Sequence, residues 1–378
     1  MIYLDSAATT CVSQSVTNRI SEVLTECFAN PSSLYDFGLV SRKVLEASRE
    51  EIAEAFGCEP CEVYFTGCGT ESNNIAILGA ARARKSWGNG IIVTGYEHPS
   101  VQNTVAALER EGFAVETVMP DENGNVSIDE IASRVTKQTA LVAAMHVNNE
   151  TGAVIDVAEL AARIKSISGR TAFHSDNVQG FLKQPFRLTR DIDTMSVSAH
   201  KIHGPKGIGA LYVRRGLNLE KVMFGGGQER GLRSGTENIA YAAGFACASK
   251  MLRTSVQKNF EKISALNDFL RVELAQIADL CINSPKDASP YILNFSLMGY
   301  KSENILHFLE QRGIYVSSGS ACARGERSHT LSAMGKEIQA DSAIRISMCA
   351  ETTQAEVREA VAAIAAAQSG LLKINRSR

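Results

Sequence analysis

The chain has 378 residues, 44% hydrophobic and 21% charged, with a formal net charge of -2. That length supports a large core and favours two domains, and the balanced charge gives no long-range attraction to nucleic acid or to an anionic membrane surface. No apolar run reaches the ~18 residues of a membrane span, and Met1-Ile2-Tyr3-Leu4-Asp5 opens in a strand-like pattern without the basic and apolar regions of a secretory signal. Nine cysteines, an odd number without framework spacing, point to reduced thiols and a cytoplasmic setting.

Along the chain, Cys58-Glu59-Pro60-Cys61 has CxxC spacing, but no second pair or nearby histidine supports zinc or redox use. Residues 62–66 read as a strand, followed by the turn Thr66-Gly67-Cys68-Gly69-Thr70 and a helix over 71–85. Glycine permits close backbone approach, and the helix N-terminus offers N–H groups to a phosphate. Residues 91–94 predict a strand and 101–111 a helix; 140–147, 171–174 and 194–198 predict further strands. This alternation implies a mainly parallel sheet covered by helices on both faces, with ligands bound beyond the carboxyl ends of its strands. Thr70, His98, Asn149, Asp176 and Ser198 fall at those ends.

The most informative run is Ser196-Val197-Ser198-Ala199-His200-Lys201-Ile202-His203-Gly204-Pro205-Lys206-Gly207, which precedes an apolar strand over 208–213. Upstream, Phe173-His174-Ser175-Asp176-Asn177-Val178-Gln179 ends an apolar run in an acid and an amide. A lysine able to form a Schiff base and a carboxylate able to pair with a pyridinium nitrogen are what pyridoxal 5'-phosphate requires. His200 and His203 lack the i,i+4 spacing and intervening glutamate of a helical metal pair, so no metal is expected there.

Beyond about residue 250 the pattern changes to a smaller α+β unit. It has a helix over 256–278, a strand over 292–296, a helix over 302–312, strands over 314–316 and 342–348, and a last helix opened by the capping box Thr353-Gln354-Ala355-Glu356. The expected division is 14–250 as the large cofactor-binding domain, with 1–13 and 251–378 as the small domain. Between two of these strands, Ser317-Ser318-Gly319-Ser320-Ala321-Cys322 places a thiol on a small-residue loop near Arg324 and Arg327, a setting that favours a reactive thiolate. Cys11, Cys27 and Cys247 are expected to be inert, in helix-like or apolar settings.

With these motifs the chain resembles the pyridoxal phosphate-dependent cysteine desulfurases, in the class whose reactive cysteine lies in an SSGSAC loop. The likeness runs nearly end to end. It includes Tyr3 to Thr10, Asn30-Pro31-Ser32-Ser33, Gly69 to Asn74, Glu97-His98, Met145 to Glu150, Asp176 with Gln179, Ser198 to Gly207, Gly225 to Arg230, Arg233 to Thr236, Ser317 to Cys322 and Ile344 to Ser347. The resemblance implies the α/β fold of the type I pyridoxal phosphate enzymes and a homodimer.

It also implies roles. Lys201 would hold the cofactor and move the Cα proton, with His98 stacking on the ring and serving acid–base steps. Asp176 would pair with the ring nitrogen and Gln179 with the phenolic oxygen. Gly69, Thr70, Ser198 and His200 would hold the phosphate, joined by Thr236 of a second subunit. Asn149 and Arg345 would orient L-cysteine, the arginine by bidentate grip of its carboxylate. Cys322 would take the sulfur as a persulfide, leaving L-alanine, and pass it to an acceptor protein serving iron–sulfur cluster assembly or tRNA thiolation. A selenocysteine lyase or an aminotransferase on the same scaffold is the alternative activity; a non-catalytic scaffold protein would be expected to lack Lys201, Asp176 or Cys322. Three places depart from the family's pattern: Tyr35 stands where the family often has His after Asn-Pro-Ser-Ser, Gly67-Cys68 replaces a more usual Ser-Gly before the phosphate turn, and the stretch from Ala323 to His329 is about two residues short and lacks the usual Thr-Ser start. The last bears on partner choice.

Overall fold

The computed structural model describes residues 1–318 and 328–373. In chain order its strands are β1 (Ile2–Tyr3), β2 (Val63–Thr66), β3 (Gly90–Thr94), β4 (Ala114–Val118), β5 (Thr139–Ala143), β6 (Ala172–Asp176), β7 (Thr194–Ser198), β8 (Gly209–Val213), β9 (Leu280–Ile282), β10 (Ile292–Leu297), β11 (Ile314–Tyr315) and β12 (Ala343–Ser347). Seven of them form one sheet in the order β2-β8-β7-β6-β5-β3-β4, parallel except for β8, which runs antiparallel to both neighbours.

Strands β5 to β8 are buried at every residue, as a sheet covered on both faces requires. Edge strand β4 buries only Val118 fully. It escaped the sequence reading because an edge strand has no continuous apolar run to announce it. The helix expected over 71–85 is Gly69–Arg82. It starts two residues earlier, since Gly69 and Thr70 form its first turn, and it buries Ser72, Asn73, Ile75, Ala76 and Ile77. The strand expected over 140–147 leaves the ladder after Ala143 and delivers residues 144–150 to the carboxyl edge of the sheet.

A second, antiparallel sheet has the order β12-β10-β9. It packs Leu293, Phe295, Ile344 and Ile346 with Leu270 and Ile364 of the helices Val256–Leu274 and Gln354–Gly370. Phe295 and Leu293 are fully buried; truncating either to alanine would cost about 2–5 kcal/mol. The last helix carries the capping box read from the sequence, with Thr353 and Glu356 each satisfying the other's backbone N–H.

The N-terminal segment returns to this sheet. β1 pairs parallel with β11, and Asp5 bridges to Ser347 at the end of β12. Residues 6–10 then lead to the lysine-bearing turn, where the Thr10 N–H donates to the His200 carbonyl at 2.9 Å. Among the described residues no helix is long and apolar enough to cross a membrane.

Candidate active site

The carboxyl end of β6 presents Asp176, 6% exposed. Its Oδ2 accepts from Asn73 Nδ2 at 2.8 Å and its Oδ1 from the Val178 N–H at 3.0 Å. Asn73 is itself oriented: its Oδ1 accepts from Ser196 Oγ and lies 3.0 Å from His174 Nε2, whose ring places Nδ1 2.9 Å from Thr194 Oγ1. Burial pushes His174 down to about 4, so it is neutral, with its proton on Nε2 toward Asn73. Each member of the chain fixes the next, and the carboxylate is held in one orientation.

From β7 the chain enters the short helix Ala199–Lys201, which aims Lys201 back across the sheet edge. Its amine donates to the Ala7 and Ala8 carbonyls. The Ala7 carbonyl also accepts from Gln179 Nε2 at 2.9 Å. Gln179 Oε1 accepts from Lys183 Nζ at 3.0 Å, and burial together with the charge of Lys201 pushes that lysine down to about 7.

His98 stands just beyond β3 as the N-cap of the helix Pro99–Arg110, its Nδ1 accepting from the Ser100 N–H at 3.1 Å. Burial lowers its pKa. Asp176 and Glu150 act in the opposite direction, and Lys201 adds to the lowering. The same imidazole thus feels the acid of β6 and the lysine beyond β7.

The remaining end of the cluster is built for an anion. The helix Gly69–Arg82 opens with no side-chain cap, which leaves first-turn N–H groups available. Ser198 Oγ, on a residue 2% exposed, has no hydrogen-bond partner among the described residues. A buried hydroxyl of that kind costs about 1–3 kcal/mol unless an acceptor meets it. A Cβ at position 69 would stand 2.7 Å from Val178 Cγ2, so only glycine lets the backbone approach there. Burial and three nearby lysines push His200 down to about 4, and its Nδ1 lies 3.2 Å from Thr9 Oγ1. A phosphate, an aromatic nitrogen and an aldehyde would each find a fitting group here: the uncapped turn with Ser198, Asp176 and Lys201.

Beyond the cluster, Arg345 on β12 is 2% exposed; its Nη1 donates to the Asn149 carbonyl at 2.8 Å and its Nη2 to Asp5 Oδ1 at 2.7 Å. The backbone of Ser317 pairs with that of Arg345 in both directions. On the other side of the cysteine loop, Ser328 Oγ donates to buried Glu150. Cys322, Arg324 and Arg327 lie outside the described residues. Thr236 is exposed on the loop before the helix Ile239–Arg253 and, among the described residues, makes no hydrogen bond to the cluster. Cys11 differs from expectation: it is exposed and in neither helix nor core. Asn73, His174 and Lys183 were not read as site residues. Lys183 had a visible signal, its i+4 spacing from Gln179, whereas Asn73 lay inside a quoted motif but acquires its role only in three dimensions.

Residues 2–359 match the family described as aminotransferase class-V. A cysteine desulfurase of Nostoc sp. is 40% identical over 94% of this chain and 90% of its own length. Among solved structures, a NifS-like protein superposes with a TM-score of 0.92 at 34% identity, covering 98% of this chain and all of the other. A structure described as SspA in complex with cysteine has a TM-score of 0.82 at 31% identity, covering 93% of this chain and all of its own.

Proposed function

Since the chain belongs to the class-V aminotransferase family, as one of its cysteine desulfurases, we propose how its own residues carry that reaction: pyridoxal 5'-phosphate held by Lys201, and sulfur taken from L-cysteine by Cys322. The observation that carries the assignment is the convergence of a buried, oriented carboxylate, a lysine amine and a half-buried imidazole at the ends of β6, β7 and β3. Bound there, the cofactor would supply an electron sink for the bonds broken at the substrate's Cα and Cβ.

Asp176, fixed by Asn73, would keep a proton on the ring nitrogen. Gln179 has a second Nε2 hydrogen beyond the one given to Ala7, and would offer it to the phenolic oxygen. The Gly69 and Thr70 turn, Ser198 and His200 would hold the phosphate, with Thr236 contributed by a second copy. Arg345 and Asn149 would hold the substrate, and Lys201, once released, would move the Cα proton. Neutral His98 would stack on the ring and exchange protons with the substrate.

Cys322 thiolate would then attack the substrate sulfur. An S–S bond forms, the Cβ–S bond breaks with its electrons left on the carbon fragment, and that fragment takes up protons and departs as L-alanine. The persulfide would pass to the thiol of an acceptor protein in the cytoplasm. A homodimer is supported by exposed Phe28, Leu34, Phe37 and Phe224, the first and third of them stacked at 6.3 Å. The two-domain division at about residue 250, with residues 1–13 in the small domain, is supported by the β1–β11 pairing.

The test is Cys322→Ala. It should bind the cofactor and L-cysteine as the wild type does, with spectral change on cysteine addition, yet form almost no alanine. Alanine at the wild-type rate would refute the assignment of the nucleophile.

A further inference from the structure

Two residues beyond Lys201, His203 holds a left-handed backbone, φ 62°, with its N–H tied to Thr10 Oγ1 at 2.7 Å. A residue other than glycine stays in that region only where its surroundings over-determine it, and such positions concentrate at functional sites. Here the imidazole Nδ1 lies 3.1 Å from the Cys11 carbonyl and Nε2 lies 3.3 Å from Glu351 Oε2. Cys349 completes the group: one ligand atom from each of His203, Cys349 and Glu351 lies within 4.8 Å of the other two.

We propose that His203, Cys349 and Glu351 form a three-ligand site for a zinc-class divalent cation, with a fourth coordination position left open. This is separate from the cofactor cluster and needs none of its chemistry.

Three features of the geometry support it. A tetrahedral centre with bonds of about 2.0–2.1 Å to nitrogen and oxygen separates those two atoms by about 3.3 Å, which matches the His203–Glu351 distance. The Cys11 carbonyl, by accepting from Nδ1, fixes the tautomer that leaves the Nε2 lone pair toward the other two ligands, the usual outer support of a metal-bound histidine. The donor set of one thiol, one imidazole and one carboxylate suits borderline cations such as zinc and disfavours magnesium or calcium, which take oxygen ligands. Cys349 forms no disulfide and is only partly buried, and Glu351 is exposed, so a cation can enter from solvent.

The placement gives the site a consequence. His203 belongs to the turn that carries Lys201, whereas Cys349 and Glu351 follow β12, which carries Arg345. A bound cation would fasten the cofactor lysine's turn to the strand that presents the substrate arginine.

The experiment loads the holoenzyme with a slight excess of zinc, desalts it and measures zinc per chain by elemental analysis, alongside the melting temperature. Wild type and Cys322→Ala should each retain about one zinc and melt higher with it. Cys349→Ser and His203→Gln should retain at least ~10-fold less and show no zinc-dependent shift. Glu351→Gln, at an exposed position that cannot compromise folding, should weaken retention while keeping the cofactor's visible spectrum. The proposal is overturned if wild type retains no zinc, if Cys349→Ser or Glu351→Gln retain it as wild type does, or if Cys322→Ala alone abolishes retention.

Discussion

Lys183 Nζ donates to Gln179 Oε1 at 3.0 Å, on the side of the Gln179 amide opposite the Ala7 carbonyl. That carbonyl can only accept, so it meets Nε2, and the two contacts together set which end of the amide faces the lysine-bearing turn. Lys183→Met would remove one of these two contacts and would weaken the donor that Nε2 offers to the cofactor's phenolic oxygen. The pH at which the bound cofactor changes its visible absorbance should rise by about one unit, the equivalent of one net hydrogen bond. An unchanged spectral titration would sink the idea.

Ser198→Ala separates a ligand-holding role from a structural one. The hydroxyl is buried and unpartnered among the described residues, so its loss should leave the cofactor-free protein as stable as before or slightly more so. Cofactor affinity should fall about 10- to 100-fold, as for a lost hydrogen bond of about 1.5–3 kcal/mol to a charged group. Equilibrium dialysis against pyridoxal phosphate reads this directly.

Glu97 gives a pH signature in stability. Burial pushes its carboxyl up to about 8 from 4.5, although its Oε1 accepts from Thr94 and from the Met145 N–H at 2.6 Å. Between those two values the unfolded chain has released a proton that the folded chain keeps, so stability falls as pH rises through this window and levels off above it. Glu97→Gln preserves an accepting oxygen and cannot ionise. Denaturation midpoints should therefore drop less from pH 5.5 to pH 8 in the variant than in the wild type; parallel slopes would contradict the buried, protonated form.

For His98, burial lowers the pKa below the ordinary histidine value. Its contribution to kcat/KM for L-cysteine should therefore persist as pH falls through 6.5 and be lost only below it. His98→Gln should cost about 10²- to 10⁴-fold in alanine formation, the range of a positioned acid–base group, while cofactor remains reducible onto Lys201 by borohydride. A variant within a few-fold of wild type would remove His98 from the proton-handling steps.

How much of this was legible in the sequence follows from how the information is distributed along the chain. Lys201, Asp176 and the Gly69–Thr70 turn sit in contiguous runs whose residue types already state their chemistry, and the sheet delivers all three to one edge. Strand β4 left no such trace, since its outward residues are polar. His203, Cys349 and Glu351 have no common motif; only the packing of β12 against the N-terminal segment brings them together, so neither spacing nor composition could show them. Asn73 lies between these cases, visible as a residue but silent as a link, because its partners come from β6, β7 and the helix Pro99–Arg110.

The two-way backbone pairing of Ser317 with Arg345 fixes one end of the segment that carries Cys322, and the contact of Ser328 with Glu150 fixes the other. Cys322 is the fifth residue after Ser317, so along any path of the chain it stands at most ~18 Å from that anchor. If Cys322 both collects and delivers sulfur as proposed, each partner in the transfer would have to meet it within that reach. An acceptor would then have to bring its own thiol close to the strand of Arg345, and the length of chain between two fixed ends would be the ruler against which it is measured.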